Sequence, residues 1–157
     1  MSSLQYSQVY SRLFTMAQMH DFLDLTDLQS NEFLCNWLHS AISNQRFQRL
    51  FSSFSLDDEI QTINFEFKYP SNSNDGSIDI ESLIEILTKA MAIKWLTPKV
   101  LSLENIHQTY GSTELKYYSE SSHLKELKDL LTMLENSYKE EITDRTSTLN
   151  SYLSGES

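Results

Sequence analysis

The sequence predicts a mainly α fold: a helical bundle with a long C-terminal helix and a small strand or hairpin element. Three observations carry this. The 157 residues include only three Gly and two Pro, where average usage of about 12% would supply several times more, so tight turns, barrels and glycine-rich phosphate loops are poorly provided for. Leu124, Leu127, Leu131, Leu134 and Tyr138 recur at intervals of 3, 4, 3 and 4, which is the apolar seam of a helix. The clearest period-two alternation is Gln61 to Tyr69, with Ile63, Phe65 and Phe67 on one side and Asn64, Glu66 and Lys68 on the other. A chain of this length buries about two thirds of its unfolded surface. A single domain over residues 1–145 is expected, followed by a polar tail, 146–157.

Each element follows from its local pattern. Ser3 to Met19 places Leu4, Val9, Leu13, Phe14, Met16 and Ala17 on a loose helical stripe. Thr26 and Gln29 fit a capping box, after which Phe33, Leu34, Trp37, Leu38, Ala41 and Ile42 predict a second helix over about Asp27 to Ser43. Phe47, Leu50, Phe51, Phe54 and Leu56 stand among serines and read as a partly packed loop or short helix. Pro70 stops the strand, and the run SNSND, Ser71 to Asp75, forms an exposed loop because such side chains bond their own backbone.

Asp79 opens a helix whose apolar residues, from Ile80 through Leu96, cover nearly every face. Such a helix is buried or shared with another subunit. Thr97 and Pro98 have the character of an N-cap and first-turn proline, so the helix either kinks there or restarts toward Ile106. Tyr110 and Gly111 end that segment, and TELKYY has a strand-like composition suited to pairing with the earlier strand. From Ser119 the narrow leucine seam predicts the final long helix, packed against one or two others.

Composition bears on partners and compartment. The net charge is −10, with 12 Lys+Arg against 22 Asp+Glu. Without a cluster of basic residues it lacks the footprint that neutralises phosphates, and it gains no attraction to anionic lipid. The best membrane candidate, Ile80 to Leu96, is interrupted by Glu81, Glu85, Lys89 and Lys94. The N-terminal residues lack the basic and continuous apolar regions of a signal peptide. Cys35, the single cysteine, has no partner for an intramolecular disulfide. These features predict a protein made in a reducing cytoplasm, with no membrane partner.

Catalytic chemistry is sparsely represented. Cys35 and His39 are four apart on one helix face, the beginning of a nucleophilic pair, yet no third orienting group is evident and the apolar neighbours of Cys35 favour a small buried side chain. His20, Asp21 and Asp24 could share a cation, but His107 and His123 are distant and no metal-ligand spacing is present. Asp57, Asp58 and Glu59 form an acidic run with no His or Lys beside it, suited to a strand start or to contact with a basic partner. Gly111-Ser112-Thr113 is a turn and not a phosphate loop. No catalytic residue, cofactor or metal is assigned. The interface candidates are Asp57, Asp58 and Glu59, the aromatics Trp95, Tyr117 and Tyr118, and Leu149, Tyr152 and Leu153 of the tail.

Three runs carry a family resemblance: LHSAISNQRFQRLFSSFSLDDEI at Leu38 to Ile60, AMAIKWLTPKV at Ala90 to Val100, and KYYSESSHLKELKDL at Lys116 to Leu130. Over about Tyr6 to Tyr138 the chain resembles the small head-to-tail connector, or neck, proteins of tailed bacteriophages that infect Gram-positive bacteria. That resemblance implies a structural virion protein, not an enzyme, located in the neck at the head–tail interface. Its subunits would form a homo-oligomeric ring, twelvefold in the family, beneath the portal protein. The ring would extend the DNA channel, contact other neck or tail-completion proteins, and let DNA pass without specific binding. Net acidity suits a channel wall, because Lys/Arg contacts would retard the duplex. Two alternatives belong to other classes: a small acidic adaptor or DNA-mimicking inhibitor that captures a basic host protein, and an enzyme using Cys35 and His39.

Overall fold

The computed structural model describes residues 2–20, 31–70, 76–110 and 114–147. It is mainly α with a small three-stranded antiparallel sheet. In chain order the elements are β1 (Ser2–Gln5), α1 (Tyr6–His20), α2 (Asn31–Ile42), α3 (Gln45–Gln48), β2 (Phe51–Asp57), β3 (Thr62–Phe67), α4 (Ser77–Tyr110) and α5 (Glu114–Ser147).

The N-terminal residues differ from the expected helix: Ser2–Gln5 pair with β3, Ser2 opposite Phe65 and Gln5 opposite Thr62. Only Leu4 of that strand is buried, and one buried residue cannot display a period of two. Its ladder runs on into α1, where the Tyr6 N–H donates to the Gln61 carbonyl at 2.9 Å. The Gln5 N–H donates to Gln8 Oε1 at 3.1 Å, closing the first turn from the side-chain half of a capping box.

The stretch read as a loop or short helix divides in two. Asn44 caps the short α3, its Oδ1 accepting from the Arg46 N–H at 3.0 Å. Phe51–Asp57 is then a strand, corrected from the sequence reading. The register shifts between Phe51 and Ser53, so Phe51 faces Phe67 while Phe54 faces Phe65 and Leu56 faces Ile63. This bulge puts the apolar residues at spacings of three and two, which imitates a helical repeat. Phe51 stacks on Phe67 with centroids 4.8 Å apart, and Phe47 meets Phe51 at 4.9 Å. The alternation in β3 holds, with Ile63, Phe65 and Phe67 buried and Glu66 exposed.

β3 is the central strand, flanked by β1 and β2. Both of its edges are thus occupied, and TELKYY is correspondingly not a third partner: α5 begins at Glu114, and Glu114 to Tyr118 are helical. Helix α4 passes through Pro98 without ending. Thr97 is not an N-cap, since its hydroxyl donates to the Ile93 carbonyl at 2.7 Å within the same helix. Helix α4 packs against this chain's own α1, α2 and α5, with Leu83, Leu87, Met91, Ala92 and Leu96 fully buried. Ion pairs mark α4 and α5 as antiparallel neighbours: Asp79 with Arg145, Lys89 with Glu141, and Glu104 with Lys128 at 2.6 Å. Leu124, Leu127, Leu134, Tyr138 and Ile142 of α5 are buried. The Thr26–Gln29 capping box, the Ser71–Asp75 loop and the tail from Thr148 onward lie outside the described residues, as do Asp21 and Asp24.

Candidate functional site

The principal polar cluster is built by α2, the first residue of α1 and the turn between β2 and β3. Residues four apart on a helix share a face, which places Cys35 and His39 side by side on α2. The turn is shaped by Asp57, whose Oδ1 accepts from the Glu59 N–H at 3.1 Å and the Ile60 N–H at 3.3 Å. Gln61 completes it with a φ of 52°, a left-handed conformation unusual for a residue with a side chain. This geometry turns Asp58 toward α2.

Asp58 is the centre of the cluster. Both of its carboxylate oxygens lie 3.0 Å from His39 Nε2, and its Oδ1 accepts from the Tyr6 hydroxyl at 2.6 Å. Cys35 Sγ is 3.8 Å from the same Oδ1. These bonds, Tyr6 first and His39 second, hold the Asp58 carboxyl below its ordinary range. The effects on its neighbours are opposite. Burial and then the Asp58 hydrogen bond push the Tyr6 phenol up, and burial followed by the Asp58 charge pushes the Cys35 thiol up. A nucleophilic thiol needs a base or cation that favours thiolate. Here the imidazole Nε2 and the thiol both face the Asp58 carboxylate.

Two readings of the sequence are corrected at this point. The acidic run does have a histidine beside it, and Cys35–His39 does have a third group: Asp58 supplies both, across 19 residues from His39. Folding, and not local spacing, brings it there. The three ligand atoms, from sulfur, imidazole and carboxylate, all lie within 4.8 Å of one another, close enough to share one ion.

The other interface candidates scatter. Asp57 serves its own turn, and Glu59 is exposed. Trp95 is only 3% exposed, with Lys99 Nζ 4.4 Å from its ring centre; it packs within the chain and presents no free surface. Tyr117 and Tyr118 fall on α5, their side chains outside the described residues, as are Leu149, Tyr152 and Leu153. Exposed large apolar side chains are instead Ile60, Tyr69, Ile78, Leu101 and Met133. Ile60 stands at the β2–β3 turn, whereas Tyr69 lies beyond the opposite end of β3.

A second feature was not signalled by the sequence. A cleft of about 530 Å³ lies between α3 and α5, lined by Asn44, Arg46, Arg49, Tyr138, Lys139, Ile142 and Thr143. It gathers three cationic side chains from two distant segments of an acidic protein. Because each is separated from the next by polar or apolar residues, no basic run appears in the sequence.

Among the described residues, no helix is long and apolar enough to cross a membrane. No family model, curated protein or solved structure matches the chain.

Proposed function

We propose that this chain is a structural subunit of a phage neck, forming a homo-oligomeric ring that joins the portal protein to the tail and extends the DNA channel. The observation that carries the reading is the placement of the three connector-like runs. Leu38–Ile60 spans the end of α2, α3 and β2; Ala90–Val100 is the middle of the buried helix α4; Lys116–Leu130 belongs to α5. The resemblance therefore concerns the framework of the domain and not one exposed motif. On this reading the helices act as a bundle, with α5 as its long C-terminal member.

A ring subunit needs two unlike lateral surfaces, because contacts around a rotation axis are heterologous. Apolar side chains exposed at separate places, Ile60 at one end of the sheet and Tyr69 beyond the other, fit that requirement. A structural and non-enzymatic role fits the cysteine as well, since its thiol is held against a carboxylate. The subunit would belong to the neck of the virion after synthesis in the host cytoplasm.

Co-expression with the portal protein of the same genome tests the proposal. Expected are co-purification, a mass by light scattering that corresponds to portal plus a ring, and ring-shaped added density by electron microscopy. A monomer or dimer that ignores the portal overturns it and favours the acidic adaptor or inhibitor, whose signature is capture of a basic protein.

A further inference from the structure

We infer that Cys35, His39 and Asp58 form a binding site for one divalent transition-metal cation of the Zn²⁺ class. The inference is independent of the neck assignment.

Donor chemistry is the first argument. A thiolate, an imidazole and a carboxylate are the three ligand types that Zn²⁺ takes from proteins, at about 2.3, 2.0–2.1 and 2.0–2.2 Å respectively. The mixture excludes Mg²⁺ and Ca²⁺, which are held by oxygen. Neutral imidazole, thiolate and carboxylate together carry two negative charges, which one divalent ion cancels.

Geometry is the second argument. Tetrahedral ligands at those bond lengths stand about 3.4–3.6 Å apart. Cys35 Sγ is 3.8 Å from Asp58 Oδ1, His39 Nε2 is 3.0 Å from each Asp58 oxygen, and the three ligand atoms all lie within 4.8 Å of one another. Side-chain rotations on a helix surface and a turn would bring these atoms to the ligand spacing. His39 would bind through Nε2 with its proton on Nδ1.

The surroundings supply the remaining parts. The Tyr6 hydroxyl, buried at the start of α1, donates to Asp58 Oδ1. It would orient the carboxylate from outside the ligand set. The Asp58 and His39 side chains are 54% and 44% exposed, so a fourth position opens to solvent and can take water. The ion would cross-link α2 to the β2–β3 turn.

The experiment titrates the reduced, full-length protein with Co²⁺ and then Zn²⁺. Expected is one equivalent of Co²⁺, with a near-ultraviolet thiolate-to-cobalt band and visible absorption of four-coordinate intensity, both abolished by Zn²⁺. Cys35→Ser should lose the thiolate band. His39→Gln, at an exposed position, should weaken binding by about tenfold or more, the loss that even outer-shell changes reach. Circular dichroism of each variant confirms folding. Wild-type protein that folds yet yields no thiolate band, or a band that survives Cys35→Ser, overturns the proposal. So does His39→Gln that remains folded and binds Co²⁺ as the wild type does. Because these readouts need no portal, they stand or fall separately from ring formation.

Discussion

The Tyr138 hydroxyl is buried on α5 and meets no hydrogen-bond partner among the described residues. An unsatisfied buried hydroxyl costs about 1–3 kcal/mol, so Tyr138→Phe should raise stability at pH 7 by about 1 kcal/mol, read from the urea midpoint. Burial also pushes this phenol above its ordinary value. The folded form therefore holds its proton longer than the unfolded form. Its contribution is fully present below about pH 10 and is lost as pH rises from there toward the folded value. The variant should lose less stability than wild type between pH 9 and 11; equal losses would show that this phenol does not titrate with unfolding. Arg145 is a second test of a single residue. It lies mostly buried over the Phe67 ring, 3.7 Å from its centre, donates to Ser82 Oγ at 3.2 Å and pairs with Asp79. Removing one member of a buried pair costs about 3–5 kcal/mol, whereas replacing both costs far less. Arg145→Met should thus destabilise severely, and adding Asp79→Asn should recover part of the loss in thermal unfolding. None of these partnerships was legible in the sequence. Asp79 with Arg145 and Asp58 with His39 are contacts between distant segments, and periodicity reports a residue's face but not what the fold will place opposite it.

At the scale of elements, legibility followed the regularity of the backbone. β3 declared itself because strict alternation coincides with one buried face, and the seam of α5 because Leu124 through Tyr138 keep a steady repeat. β2 was obscured by its bulge, β1 by having a single buried residue, and the start of α5 by the strand-like aromatic composition of Tyr117 and Tyr118. Pro98 was visible, and of the two expectations at it, a kink or a restart, the restart is not seen. This proline sits inside α4 on an exposed surface, where it lacks the N–H that would bond the Lys94 carbonyl, and the helix continues because buried neighbours such as Trp95, Leu96 and Val100 hold both sides. Interior proline costs a helix about 3 kcal/mol, partly offset by the stiffer unfolded chain. Pro98→Ala should accordingly stabilise by about 1–2 kcal/mol with little change of packing. A lower denaturation midpoint would mean that α4 depends on its proline.

For the whole molecule, the proposed ring sets charge against assembly. Such a ring would bring together copies that each carry −10, and like charges repel over a Debye length of about 10 Å at 0.1 M salt. If apolar contacts such as those offered by Ile60, Tyr69 and Ile78 hold neighbours together, raising salt from about 50 to 500 mM should strengthen the complex with portal, because the Debye length falls to a few ångströms. Sedimentation of the co-expressed complex at both concentrations reads this directly. The basic cleft predicts the reverse: an acidic segment seated on Arg46, Arg49 and Lys139 would be released by salt, and Arg46→Glu with Arg49→Glu would release it at low salt. The polar tail offers a third contribution. Deleting residues 148–157, which leaves every described element intact, should weaken portal attachment if the tail orders on docking. The same truncation should leave the thermal midpoint of the isolated subunit within about 2 °C, a shift corresponding to less than 1 kcal/mol in a domain of this size. Attachment unchanged by truncation would assign docking to the folded domain, and the sign of the salt dependence would then decide between its apolar ends and its basic cleft.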